Sequence, residues 1–144
     1  MTELQEPKTQ DELAQSSLNI SAMASDLFGK SLSDLRGIAT ALNVDRARRL
    51  KKENLVSKII QQRASEEGLE VRGGILEILN EGIGFLRMNY RIGQEDVYVS
   101  QAQLRRYKLR NGDMVIGQVR PPRESEKHHG LLTVESINGI SPEE

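Results

Sequence analysis

The run Glu81-Gly82-Ile83-Gly84-Phe85-Leu86-Arg87 places two glycines, one of the chain's two phenylalanines and a cation within seven residues. Flanked by apolar runs, it reads as a strand. Alternate side chains of a strand point to opposite faces, so Ile83, Phe85 and Arg87 share one face while Gly84, Leu86 and Met88 share the other. A core strand rarely aligns Arg with Phe. A nucleic-acid-binding sheet does so readily, because a base stacks on the ring and the guanidinium supplies directional donors. The same pattern also fits a plain core strand whose glycines mark a bulge or a tight hairpin.

Working outward, the neighbouring runs also read as short strands. Gly74–Leu79, Gly82–Met88, Asp96–Ser100, Asp113–Arg120 and Leu131–Ile137 are separated by turn signals at Asn80-Glu81, Asn111-Gly112 and Pro121-Pro122. Ser100 can cap a helical turn through Gln103 and Leu104, the plug that a five-stranded Greek-key barrel needs at one end. Five strands suit an OB-fold better than a sandwich, which wants about seven. Upstream the period becomes helical. Leu32, Leu35, Ile38, Ala39 and Leu42 mark one helix, with Ser33 as its N-cap and Asn43 as its stop. Leu55, Val56, Ile59 and Ile60 mark a second over Lys52–Glu66, ending near Gly68. The expected fold is therefore α+β, with a polar tail over residues 1–30, a helical subdomain over 31–68 and an OB-fold barrel over 72–140. Within the tail, Leu18–Phe28 could form a transient helix.

Composition bounds the function. With 144 residues and 37% hydrophobic content, the chain can bury one modest core or two small ones, which favours a small binding module over a catalytic domain with a deep cleft. Cysteine is absent, which excludes disulfides and thiolate zinc sites, and the adjacent His128 and His129 lack the spaced companions of a metal site. Neither a Gly-x-x-x-x-Gly-Lys-Ser/Thr loop nor a Gly-x-Ser-x-Gly elbow occurs, so nucleotide hydrolysis and serine chemistry have no foothold. No apolar run approaches the roughly 20 residues that span a bilayer, and a soluble, cytoplasmic protein is expected. The net charge of −1 conceals opposite local sums. Five acids face one lysine over Met1–Asp26, whereas seven Lys or Arg face three acids over Arg105–Lys127.

Further candidates follow from these strands. Asp96 and Tyr98 share a face of the strand after Phe85. If that face also holds Phe85 and Arg87, the carboxylate suits the N4 amine of cytosine and the guanidinium suits its N3 and O2, whereas uracil sets O4 against the carboxylate. Cytosine preference is the consequence. The bland alternative makes Asp96 a turn residue and Tyr98 half-buried sheet. Arg105, Arg106, Lys108 and Arg110 could line a phosphate path or be solvated surface, and Tyr107 reads as a core or plug residue. Glu126, Lys127 and His128 fall in a polar connection. Arg46, Arg48, Arg49, Lys51 and Lys52 could instead dock on a duplex backbone, and a third reading is a protein-interaction adaptor.

The order of these segments resembles a known family, the bacterial transcription termination factor Rho. Ser31–Glu66 is similar to its N-terminal helical domain. Gly74–Leu79, Gly82–Arg87, Asp96–Ser100, Leu104–Tyr107, Leu109–Asp113 and Val119–Arg123 are similar to its cold-shock, OB-type RNA-binding domain. The resemblance implies a primary site for single-stranded, pyrimidine-rich and especially cytosine-containing RNA. Its three binding segments fall on Gly82, Ile83, Gly84, Phe85, Leu86 and Arg87, on Asp96, Val97 and Tyr98, and on Glu126, Lys127 and His128. It also implies that Phe85 stacks on a base, that Arg87 and Asp96 read a cytosine edge, and that Tyr98 holds the neighbouring pyrimidine. Ile83 departs from the phenylalanine of enterobacterial members, and His128 from their tyrosine. An imidazole offers a smaller stacking face and takes up a proton in mild acid, so weaker, mildly pH-dependent binding is expected. The family protein is a hexameric, RNA-dependent ATPase that works with RNA polymerase. This sequence ends at Glu144 before any ATP-binding motif, so the expectation is a monomeric, non-enzymatic N-terminal portion, with ATP and magnesium belonging to the missing domain.

Overall fold

The computed structural model describes residues 18–88, 93 and 95–143. Three helices come first, α1 (Ile20–Phe28), α2 (Leu32–Ala41) and α3 (Lys52–Glu66), with a 3-10 turn at Ala47–Arg49 before the third. The barrel follows as β1 (Val71–Ile78), β2 (Gly84–Arg87), β3 (Val97–Val99), the short helix α4 (Gln101–Arg106), β4 (Met114–Arg120), β5 (His129–Leu131) and β6 (Ser136–Ile137).

Helix α1 overturns the reading of residues 18–28 as part of a tail. Asn19 accepts a hydrogen bond from the Ala22 N–H at 2.9 Å and caps it. Its Ile20, Ala24 and Leu27 fall on one face and are buried in the same core as α2 and α3. Packing against α3 and β6 makes so short a helix stable. The cap of α2 is Ser31 rather than Ser33, because Ser31 Oγ accepts from the Asp34 N–H at 3.1 Å. Asn43 ends α2 in the left-handed region at φ 60°. Helix α3 buries Leu55, Val56, Ser57, Ile59, Ile60 and Ala64, more than one stripe, since α1 and α2 lie against one side of it and β1 against another.

The six strands form one sheet that closes on itself. Strand β1 is longer than its apolar run suggested. Its first half pairs antiparallel with β4 (Val71 opposite Gln118 through Ile75 opposite Met114), and its second half with β2 (Ile75 opposite Arg87 through Ile78 opposite Gly84). β2 pairs with β3, β3 runs parallel to β5, and β5 pairs with β4, which completes the barrel. This is the expected α+β, OB-type arrangement. Leu76, Leu86, Val97, Val99, Val115, Val119 and Leu131 fill the interior, with Leu104 of α4 against them. Ser100 and Gln103 form a reciprocal capping box on α4. On the outer side, Val71, Met114 and Ile116 join the helical core, so one sheet serves two apolar clusters.

The expected final strand, Leu131–Ile137, is split. The N–H groups of Leu132 and Thr133 both donate to the Gln118 carbonyl, at 2.8 and 3.3 Å, a bulge that re-aims the chain before β6. Gly117 permits it, because a Cβ there would collide with the Thr133 carbonyl. The reversal expected at Pro121-Pro122 lies later, at Glu124-Ser125, closed by the Glu126 N–H donating to the Arg123 carbonyl at 2.8 Å.

Gly117→Ala is expected to destabilise the protein by about 1–3 kcal/mol through this backbone contact. Gly37→Ala, on the exposed side of α2 with open space around it, is expected to stabilise by about 0.5–1 kcal/mol. Paired denaturant unfolding curves test both.

Candidate nucleic-acid interface

Sheet register brings Phe85, Arg87 and Tyr98 onto one outer face. Phe85 stands opposite Tyr98 on β3 and opposite Glu77 on β1, and Arg87 stands opposite Ile75. The Phe85 ring meets Tyr98 edge to face, with centroids 5.9 Å apart at 71°, and meets His128 in the same manner at 5.2 Å and 72°. His128 arrives from the connection before β5. The result is a half-exposed aromatic group with three members, drawn from two strands and a loop.

Gly84 supports this face from behind. It points into the barrel, where a Cβ would lie 2.8 Å from Leu76 Cδ1, so only glycine lets Leu76 pack beneath β2. Gly82, at φ +81°, turns the chain over the Gln101 side chain. Leu86 and Val97 are core residues, opposite one another in register. They hold the strands, and their side chains face away from the aromatic group. Ile83 is half-buried at the hairpin, and its carbonyl accepts from the Leu79 N–H at 2.8 Å.

Arg87 and Asp96 meet as expected, and they meet each other. The Arg87 side chain is 5% exposed and that of Asp96 2%, and Nη1 donates to Asp96 Oδ2. Arg87 Nε donates to Glu77 Oε2 at 2.7 Å, and the Gly93 N–H donates to Asp96 Oδ2 at 2.9 Å. The guanidinium also lies 5.2 Å from the Phe85 ring centroid. Burial opposes the charged form of Arg87, but hydrogen bonds and proximity to Glu77 and Asp96 outweigh it and hold its pKa above the ordinary value. It therefore stays a cation, with its Nη2 hydrogens uncommitted in these contacts. Glu77 was not singled out in the sequence. Its signal was available, since Glu77 stands between Leu76 and Ile78 at an outward position of β1.

The third segment divides. Glu126 is clamped by Arg120, whose Nη1 and Nη2 donate to its two carboxylate oxygens at 2.7 and 2.9 Å, and it accepts from the Arg123 N–H at 2.9 Å. These hydrogen bonds lower its pKa to about 2. Glu126 thus orders the connection that presents His128, while Lys127 is exposed. Burial, then Arg72, lowers the pKa of His129, so its 3.8 Å approach to Glu70 is not an ion pair at neutral pH. Arg105, Arg106, Lys108 and Arg110 are exposed around α4, with Arg106 5.4 Å from the Tyr107 ring centroid. Tyr107 packs against the barrel core.

Two family models match this chain. The family described as "Rho termination factor, RNA-binding domain" matches residues 72–143, and "Rho termination factor, N-terminal domain" matches residues 26–68. The transcription termination factor Rho of Bacillus subtilis is 44% identical over 121 residues, which cover 83% of this chain and 28% of that protein. The factor of Aquifex aeolicus is 42% identical over 121 residues (82% and 28%), and that of Escherichia coli K12 is 37% identical over 122 residues (82% and 29%). The chain thus spans under a third of the length of these relatives.

Two outcomes are expected from the charge arrangement. Arg87→Ala leaves Asp96 buried without its cation and lowers stability by about 3–5 kcal/mol, measured by chemical unfolding. In a carboxylate NMR titration Glu126 titrates near pH 2, and Arg120→Gln returns it towards the ordinary 4.5. Because the folded pKa is depressed, the stability from this pair is complete above about 4.5 and is lost as pH falls through about 2.

Proposed function

The chain belongs to the Rho termination factor family, and on that premise we propose that its outer β2–β3 face anchors single-stranded, cytosine-containing RNA for a transcription terminator. RNA binding in a termination factor is the family's property. The cytosine preference and the anchoring role are our reading. One observation carries it, the convergence of Phe85, Tyr98 and His128 beside the buried Arg87–Asp96 pair.

Phe85, half-buried on this face, is the ring on which a base stacks in this reading. Among the described residues Arg87 Nη2 has no hydrogen-bond partner, which suits it to acceptors such as N3 and O2 of cytosine, and Asp96 is an acceptor for the N4 amine. In the free protein these groups satisfy each other, so a base that reads them exchanges one set of buried hydrogen bonds for another. A base with the wrong edge leaves a buried charge without its partner, which is how such a site discriminates. The cations around α4 supply a non-specific attraction for phosphates that weakens with salt. Motor activity and assembly with other copies or with RNA polymerase are assigned, on the same reading, to parts of the relatives that this span does not cover.

Phe85→Ala is expected to weaken oligo(C) binding by about 1–3 kcal/mol, measured by fluorescence anisotropy at fixed salt. In an NMR titration, oligo(C) should shift Phe85, Arg87, Asp96 and Tyr98 more than oligo(U) or oligo(A). Shifts confined to residues 46–52 with duplex DNA would move binding to the helical part. An unresponsive spectrum would favour a protein-docking role.

A further inference from the structure

The aromatic group occupies only two of the three strands that form this face. On β1, beyond Arg87, lies an open recess of about 260 Å³ lined by Ile75, Leu76, Glu77, Arg87, Asn111 and Gly112. Its position follows from register. Ile75 is opposite Arg87 and Glu77 is opposite Phe85, so both point outward on the face that carries the stacking ring. Ile75 is half-buried and apolar, and Gly112, at φ +89°, leaves open space where a side chain would project. Glu77 forms one wall. One of its oxygens holds Arg87 Nε, and its side chain is 50% exposed. No other hydrogen bond to the Glu77 carboxylate is present among the described residues.

We propose that this recess is a third base-binding position for the same RNA strand, built on β1 and selective for a base with an exocyclic amine. The inference rests on the reading of the β2–β3 face as the RNA site. Strands of one sheet lie about 4.8 Å apart, so a single strand crossing them meets the Tyr98–His128 corner, then Phe85, then the recess. Ile75 gives a base an apolar seat. Glu77 accepts but cannot donate when ionised, so it suits the amine of cytosine or adenine and opposes the O4 of uracil. Two carboxylates flank the single Arg87 cation, which makes this corner unfavourable for phosphate and assigns it the base rather than the backbone.

The test is an NMR titration of the whole chain, with labelled isoleucine methyls and backbone amides, using the cytidine di-, tri- and tetranucleotides. The dinucleotide should shift Phe85, Arg87, Asp96 and Tyr98 and leave the Ile75 methyls and the Gly112 amide unmoved. The trinucleotide should add shifts at the Ile75 methyls and the Gly112 amide and bind about tenfold tighter, the lower range of what one seated base supplies. Replacing the recess base by uridine should remove that gain, and Glu77→Gln, whose amide can donate to O4, should restore it. Shifts at Phe85 and Tyr98 with Ile75 and Gly112 unmoved by all three oligonucleotides would overturn the third position and leave the β2–β3 site standing. Equal affinity for di- and trinucleotide would overturn it as well. A spectrum in which Phe85 and Tyr98 also stay unmoved would reject the RNA reading of the whole face.

Discussion

Strand β1 has two neighbours, and everything else in the molecule depends on that sharing. Eight residues pair with β4 over one half and with β2 over the other. A strand so placed leaves neither partner as a free edge, and it converts an open meander into a closed barrel. The crossover needs close backbone contact. At Gly74 a Cβ would lie 2.9 Å from the Arg87 carbonyl oxygen and 3.0 Å from its nitrogen, and at Gly73 2.8 Å from both Ile116 Cγ1 and Ser57 Oγ. The glycine pair therefore lets β1 bear on the helices at one end and on the β2–β3 face at the other.

Two apolar clusters meet across this sheet. The helices bury Leu55, Ile59 and Ile60 against Val71 and Ile116, while the barrel interior gathers around Leu76, Leu86 and Val115. Adjacent residues of β1 and β4 serve opposite clusters, as the two-residue period of a strand requires. Helix α3 is linked to the other side of the β2–β3 face by Lys58, which pairs with Glu95 at 3.4 Å next to Asp96. That pair is largely exposed on the Glu95 side and adds little energy. Its interest is spatial, since it ties the helical part to the segment that carries Asp96.

The β2–β3 face places ionised groups where water is scarce. A buried cation between two carboxylates is stable only because each charge has a hydrogen-bonded partner. The arrangement fixes Arg87 beside Phe85, so on the proposed reading little side-chain ordering would be left to oppose binding. Ordering at the third segment comes from a different source, the Arg120 clamp on Glu126, which settles the connection leading to His128.

Local pattern was enough for much of this. The outward pairing of Phe85 with Arg87, the matching phase of Asp96 and Tyr98, the Ser100 cap and helix α3 all follow from periods and caps that neighbouring residues impose. The resemblance to a known family added the third segment and the roles within it. Features that depend on residues distant in sequence were not legible. Leu18–Phe28 looked like tail because its apolar face is short, and the surfaces of α3 and β6 make it a helix. Ser31, not Ser33, caps α2 because the cap is fixed by which N–H the hydroxyl reaches. The break between β5 and β6 arises where the Thr133 carbonyl passes Gly117, a contact between two strands. Glu77 joined the site only when register set β1 beside β2. The sequence by itself determined which residues face which side of each strand, since that depends on alternation along the chain. Tertiary structure alone decided which faces meet and which charges are buried together, because register, closure and desolvation are properties of elements brought side by side.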